Sequence, residues 1–215
     1  MIHDLEFALT TYCQAKCRSC ARTNPDTGDK ADWLKLQHMD FDMYKQLLKN
    51  NTSIAGTQGK RIIFCGEFGD PMMHPLIEDF INYTTENVDI KRLIINTNGG
   101  LRDPEWYKRI AARETVRIEW GIDGTDHDTN WLYREGVDWN RAMANMKAWF
   151  SNGGSGHWAF LLFDWNWHQI PTAVAMAEEI GCKLDFKINW REWGLLTPEN
   201  RTSTVKLLKE YGYDV

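Results

Sequence analysis

The sequence predicts an α/β fold with a mostly parallel six-stranded sheet. Two observations carry this. Short apolar runs alternate with segments of helical periodicity along the whole chain, and that alternation is the signature of βα units whose strands lie side by side under a cover of helices. The runs are continuously apolar rather than strictly alternating, the pattern expected of strands buried on both faces.

Residues 5–12 (LEFALTTY) read as the first strand. A long irregular stretch, 21–38, separates it from a helix over 40–51 with Asp40 or Asp42 near its cap. Loops of that length are often functional. Residues 60–67 (KRIIFCGE) form the second strand, and 74–88 a helix with Pro75 in its first turn. The third strand, 91–99 (KRLIINTNG), closes on a turn signal. Asp103 and Pro104 open a helix over 103–113, one as cap and the other at the position where a missing N–H is harmless. The fourth strand is 116–124, followed by a helix over 138–154 with a glycine stop. A fifth strand over 157–165, a helix over 170–181 ending at Gly181 and a sixth strand over 183–190 follow. Thr197 and Pro198 open the last helix, 197–212. No linker, repeat or low-complexity segment divides the chain, so residues 1–215 are expected to form a single domain.

Composition narrows the function classes. With 43% hydrophobic and 26% charged residues the chain reads as a soluble globular protein. A net charge of −5 gives no reason to expect nucleic acid or an anionic membrane as partner. No apolar run approaches the ~20 residues of a membrane-spanning helix. The opening MIHDLEFALT lacks the basic and apolar regions of a secretory signal. A cytoplasmic location is therefore expected. Clustered cysteines in that reducing compartment bind metal or do chemistry more often than they form disulfides. Cys65 and Cys182 stand alone and read as small buried apolar residues. Most of the eleven tryptophans read as core. Trp158, Trp165, Trp167, Trp190 and Trp193 crowd the last third and are candidates to line a pocket.

Sites of parallel α/β sheets form at the C-terminal ends of the strands. Here those ends carry Cys13, then Cys65-Gly66-Glu67, Asn96-Thr97-Asn98-Gly99, Asp123-Gly124, Asp164 and Asn166, and finally Asn189, Arg191 and Glu192. Turns are rich in such residues for local reasons, but one shared cup also accounts for the cysteines at the same edge.

The stretch TYCQAKCRSC places Cys13, Cys17 and Cys20 on one loop. Thiolates are soft ligands for zinc or iron–sulfur clusters. A structural zinc site closes with four ligands, and the nearest following histidine, His38, is eighteen residues past Cys20. Three protein ligands instead leave one metal position open to substrate or cofactor.

At this point the sequence resembles the radical S-adenosylmethionine (radical SAM) superfamily, whose hallmark is a three-cysteine loop of this spacing after the first strand of a partial (βα)6, TIM-like barrel. The resemblance spans roughly residues 5–190 and implies that Cys13, Cys17 and Cys20 hold a [4Fe-4S] cluster whose open iron binds S-adenosylmethionine (SAM). It further implies reductive cleavage of SAM to methionine and a 5′-deoxyadenosyl radical that abstracts a hydrogen from a substrate. CGE at 65–67 is similar to the Gly-Gly-Glu motif that ends the family's second strand, with Cys65 in place of the first glycine; Gly66 and Glu67 are thereby implied as SAM contacts. Asn98 and Asp123 are implied as further SAM contacts, since Gly121 stands where many relatives have serine. Ser19 stands where relatives favour an aromatic. Arg134 reads as a solvated helix residue or an ion-pair partner, and His74 as structural.

The resemblance implies an enzyme with a flavodoxin- or ferredoxin-like electron donor. Its short format is similar to that of glycyl-radical activases and small deazaguanine-type synthases. The substrate is open between a peptide or protein and a small nucleotide-like molecule. A non-catalytic metal-binding or scaffold protein on a degenerate barrel is the contrasting class.

Overall fold

The computed structural model describes residues 4–24, 26–52, 61–190 and 194–214. Six strands form one sheet in the order of the chain: β1 (Asp4–Phe7), β2 (Arg61–Phe64), β3 (Arg92–Thr97), β4 (Val116–Gly121), β5 (Ser155–Leu162) and β6 (Lys183–Ile188). Every neighbouring pair is parallel, and β1 and β6 remain the two edges. The result is an α/β fold with the sheet of a partial barrel. Helices α1 (Phe41–Thr52), α2 (Ile77–Asn87), α3 (Pro104–Ala111), α4 (His127–Tyr133), α5 (Trp139–Ser151), α6 (Ile170–Ile180) and α7 (Pro198–Glu210) join the strands or follow them.

The strands are not buried on both faces, and this corrects the sequence reading. Ile62, Phe64, Leu93, Ile95, Val116, Ile118, Trp120, Trp158, Phe160 and Leu162 are buried in the core beneath the helices. The residues between them carry polarity: Arg61, Arg92, Asn96, Arg117, Glu119, His157, Asp185 and Lys187. An open half-barrel leaves its concave face without the packed layers of a closed barrel, so that face stays polar. The register sets Phe7 opposite Phe64, Ile95 opposite Ile118 and Trp120 opposite Trp158, giving continuous apolar rows under the helix layer.

Local signals act as their chemistry dictates. Asp40, Asp103, Asp126, Asp138 and Thr197 each accept a hydrogen bond from the backbone N–H three residues on, at 2.8–3.2 Å, satisfying donors that a helix start leaves orphaned. Gly181 ends α6 with φ 75°, the left-handed conformation glycine adopts readily. Three boundaries differ from expectation. The first regular strand ends at Phe7, and the chain beyond it runs irregularly, bridged from Thr10 to His38 and hydrogen-bonded from Leu9 and Thr11 to Met39 and Gln37. Pro75 precedes α2 instead of entering it, because a 3-10 turn over Pro71–Met73, capped by Asp70, comes first. The segment between β4 and α5, to which the sequence reading assigned no element, contains α4.

Candidate active site

At the C-terminal edge of the sheet, a cavity of about 410 Å³ collects residues from every strand end. Cys13, Cys17, Cys20, Gly66, Glu67, Asn98 and Asp123 all line it. The expected cup is therefore real, but its wall differs in detail. No tryptophan among the described residues lines it. Trp158 points into the helix layer, where its indole N–H donates to the Ile122 carbonyl at 2.7 Å. Trp165 stacks on Phe163 with ring centroids 4.5 Å apart, and Trp190 is 81% exposed. Asp164 and Asn166 do local work: one accepts from the Thr197 N–H at the start of α7, the other bridges the Phe163 N–H and the Asp123 carbonyl. Arg191, Glu192 and Trp193 lie outside the described residues.

The cysteine loop is held by a residue the sequence reading did not single out. The buried Arg22 donates to the carbonyls of Ala15 at 3.0 Å, Thr11 at 3.2 Å and Phe68 at 3.3 Å. It thus staples both ends of the loop to the segment after β2. Gly69 permits that approach, because a Cβ there would stand 2.3 Å from the Thr10 carbonyl oxygen. The Cys20 thiol faces the Glu67 carbonyl at 3.8 Å, and the Asn98 amide faces the Cys13 sulfur at the same distance.

Asp70 ties the other walls together. This buried carboxylate accepts from the Thr97 hydroxyl at 2.9 Å and from the backbone N–H of Asn98 and Met72, also at 2.9 Å. Its own N–H donates to the Tyr12 carbonyl. Burial pushes its pKa above the usual carboxylate range, against the pull of those donors.

Two of the expected ligand-contacting residues are engaged internally. Asn98 Oδ1 accepts from Gln14 at 2.6 Å and from the Gly100 N–H at 2.9 Å. Asp123 is fully buried, and its carboxylate accepts from Arg134 at 2.6 Å and from the Leu161 N–H at 2.7 Å. Arg134 is thus the ion-pair partner that one of its two readings allowed, and it also lines the cavity. A Cβ at Gly121 would meet the Arg134 guanidinium nitrogen at 2.7 Å, so glycine there leaves room for arginine. Gly66 and Glu67 remain exposed at the cavity rim. His74 is structural: its ring bonds the Met39 carbonyl and the Leu76 N–H.

The donor set fits an iron–sulfur cluster. All five cysteines are free. Cys13, Cys17 and Cys20 line one cavity, and three thiolates on one loop are soft ligands of the kind that hold iron–sulfur clusters. Burial pushes Cys13 up to about 11 and Cys17 up to about 12. Both are therefore protonated at neutral pH in the metal-free chain, and ligation of a metal group releases those protons. Cys65 also lines the cavity and is half-buried, with its pKa raised by burial. Cys182 lies away from the cavity, half-buried against the core.

The chain matches the family model of the radical SAM superfamily over residues 7–177. A GTP 3′,8-cyclase of Chlorobaculum tepidum is 26% identical over 131 residues, which are 61% of this chain and 34% of that protein. The solved structure of anSMEcpe with bound AdoMet superposes with a TM-score of 0.76 at 16% identity, over 97% of this chain and 57% of that one. Streptococcus suis SuiB bound to the precursor peptide SuiA gives 0.71 at 15% identity, over 99% and 47%. The chain spans about a third of the curated relative and about half of these solved chains.

Proposed function

The chain belongs to the radical SAM superfamily, whose members use a [4Fe-4S] cluster and SAM, and from that premise we propose that Cys13, Cys17 and Cys20 hold the cluster. The observation that supports this is the gathering of these three thiols, with polar residues from the other strand ends, around one cavity. When bound, the cluster supplies the electron that cleaves SAM to methionine and the 5′-deoxyadenosyl radical used for hydrogen abstraction.

The chain's own residues bind, orient and shield. Arg22 fixes the cysteine loop against the segment after β2. The exposed backbone edge at Gly66 and Glu67 offers acceptors to the SAM ammonium group. Asn98, wired through Gln14 to the cysteine loop, forms the wall beside it. Asp123 acts through Arg134: it holds the guanidinium at the cavity wall, where a positive charge complements the SAM carboxylate. Small residues on the sheet, Gly121 and Ala159, leave room for the nucleoside.

The substrate is a peptide or protein segment, or a small nucleotide-like molecule. The first class is supported by the likeness to SuiB with its precursor peptide, the second by the GTP 3′,8-cyclase relative. A flavodoxin- or ferredoxin-like donor supplies the electron. Residues 1–215 act as one catalytic core. The cytoplasm, where thiols stay reduced, is the compartment proposed; no described helix is long and apolar enough to cross a membrane.

Anaerobic reconstitution with iron and sulfide, followed by dithionite and SAM, tests the reading. Visible charge-transfer absorbance and release of methionine and 5′-deoxyadenosine are expected, and Cys17→Ala should lose both. A colourless protein with one bound metal, or cleavage that survives Cys17→Ala, defeats it in favour of the scaffold class.

A further inference from the structure

The concave face continues past the cysteine cavity toward the N-terminal ends of the strands. There a second cavity, of about 290 Å³, is lined chiefly by Arg61, Lys91, Arg92, Arg117, Glu119 and His157. Four cations face one carboxylate, in a chain whose net charge is −5. The acids nearby offset only part of this charge. Asp4 is taken by Arg61 through two hydrogen bonds, and Glu119 accepts from the Asn96 amide at 2.6 Å. Among the described residues Lys91, Arg92 and Arg117 form no ion pair.

The register explains how these charges meet. Arg61 and Arg92 are direct partners across β2 and β3, and Arg117 faces Ile94 on the next strand. Like charges set opposite each other across a sheet are destabilising; Asp4 offsets Arg61, and Arg92 and Arg117 are left to a further counter-charge. Three guanidinium-bearing positions on adjacent strands span roughly 10 Å, a reach that suits a multiply charged oxyanion. Each arginine offers a planar fork that can bind two oxygens at once.

We infer that this floor cavity is an anion site that takes the phosphate or diphosphate group of a small molecule. It goes beyond the SAM reading: Arg92 and Asn98 are six residues apart on one strand and its extension, about 20 Å, so the anion lies far from the thiols. The two cavities meet at Glu119, which lines both.

Calorimetric titration of the reconstituted protein with pyrophosphate at physiological ionic strength tests the site. Saturable binding is expected, weakened about tenfold or more in Arg92→Gln and in Arg117→Gln. Arg109→Gln, on the far side of the helix layer and paired with Glu78, should bind as the parent does. Arg92→Lys keeps the charge without the fork and should fall between parent and Arg92→Gln. Titration with a nucleoside diphosphate identifies the source: tighter binding than pyrophosphate means the group belongs to a larger molecule, and equal binding means a free ion. Absence of saturable pyrophosphate binding, or an equal loss in Arg109→Gln, overturns the site. Cluster absorbance and SAM cleavage are read on the same samples, so their failure is separable from failure of the anion site.

Discussion

Replacing Asp123 by Asn isolates the buried ion pair at the cavity wall. The amide keeps the shape of the carboxylate and an oxygen for the Leu161 N–H, but leaves the Arg134 guanidinium without its counter-charge. Breaking a buried pair by removing one partner typically costs ~3–5 kcal/mol. Arg134 keeps 21% of its side chain open, so water reaches it and the lower end, about 3 kcal/mol, applies. For a chain of this size that corresponds to a melting point lower by roughly 6–12 °C. Urea unfolding under anaerobic conditions, followed by tryptophan fluorescence, measures the loss. In a double-mutant cycle, Arg134→Met should cost much less on the Asp123→Asn background than alone. SAM affinity should fall in both single variants. If Asp123→Asn costs under about 0.5 kcal/mol, or the two changes simply add, the pair does not hold the wall as argued.

Further outcomes follow from other contacts. His74 is 2% exposed, and burial lowers its pKa despite the Met39 carbonyl. The folded form favours the neutral ring, so stability is complete above the ordinary histidine value of about 6.5 and declines as pH falls below it; His74→Asn should flatten that acid-side slope in unfolding curves between pH 7 and 5. Gly121→Ser should displace the Arg134 guanidinium and weaken SAM binding with little change in cluster content, read by equilibrium dialysis and iron analysis. Gly156→Ala sets a Cβ 1.9 Å from the Ile118 carbonyl oxygen at φ 145° and should destabilise by well over ~1 kcal/mol, visible as loss of soluble protein or a collapsed melting point.

Strand and helix order were legible because each βα unit carries its own local signals. Asp103-Pro104 and Thr197-Pro198 open helices where their chemistry says they should. The cysteine loop was legible because its spacing is contiguous. What escaped was set by distant partners. Arg22 is one arginine in an irregular stretch, and nothing local says that it meets the carbonyls of residues 11, 15 and 68. Asp70 sits in a turn-like GDP, yet its ligands come from β3 and the segment beyond it. The alternation of β4, Arg117-Ile118-Glu119-Trp120, was visible but read as apolar because tryptophan and isoleucine dominate the run. That misreading hid the polar concave face. Tryptophan count was a poor guide to the cavity, since strand parity sends Trp120 and Trp158 into the helix layer.

Among the described residues the open half-barrel leaves β6 as an unpaired edge, and such an edge is a template for another chain. Lys183, Asp185 and Lys187 alternate along it. Two copies pairing antiparallel about Asp185 would set Asp185 against Asp185 and Lys183 against Lys187, like against like at both places. The charges that face the concave side therefore also discourage this edge-to-edge pairing of two copies.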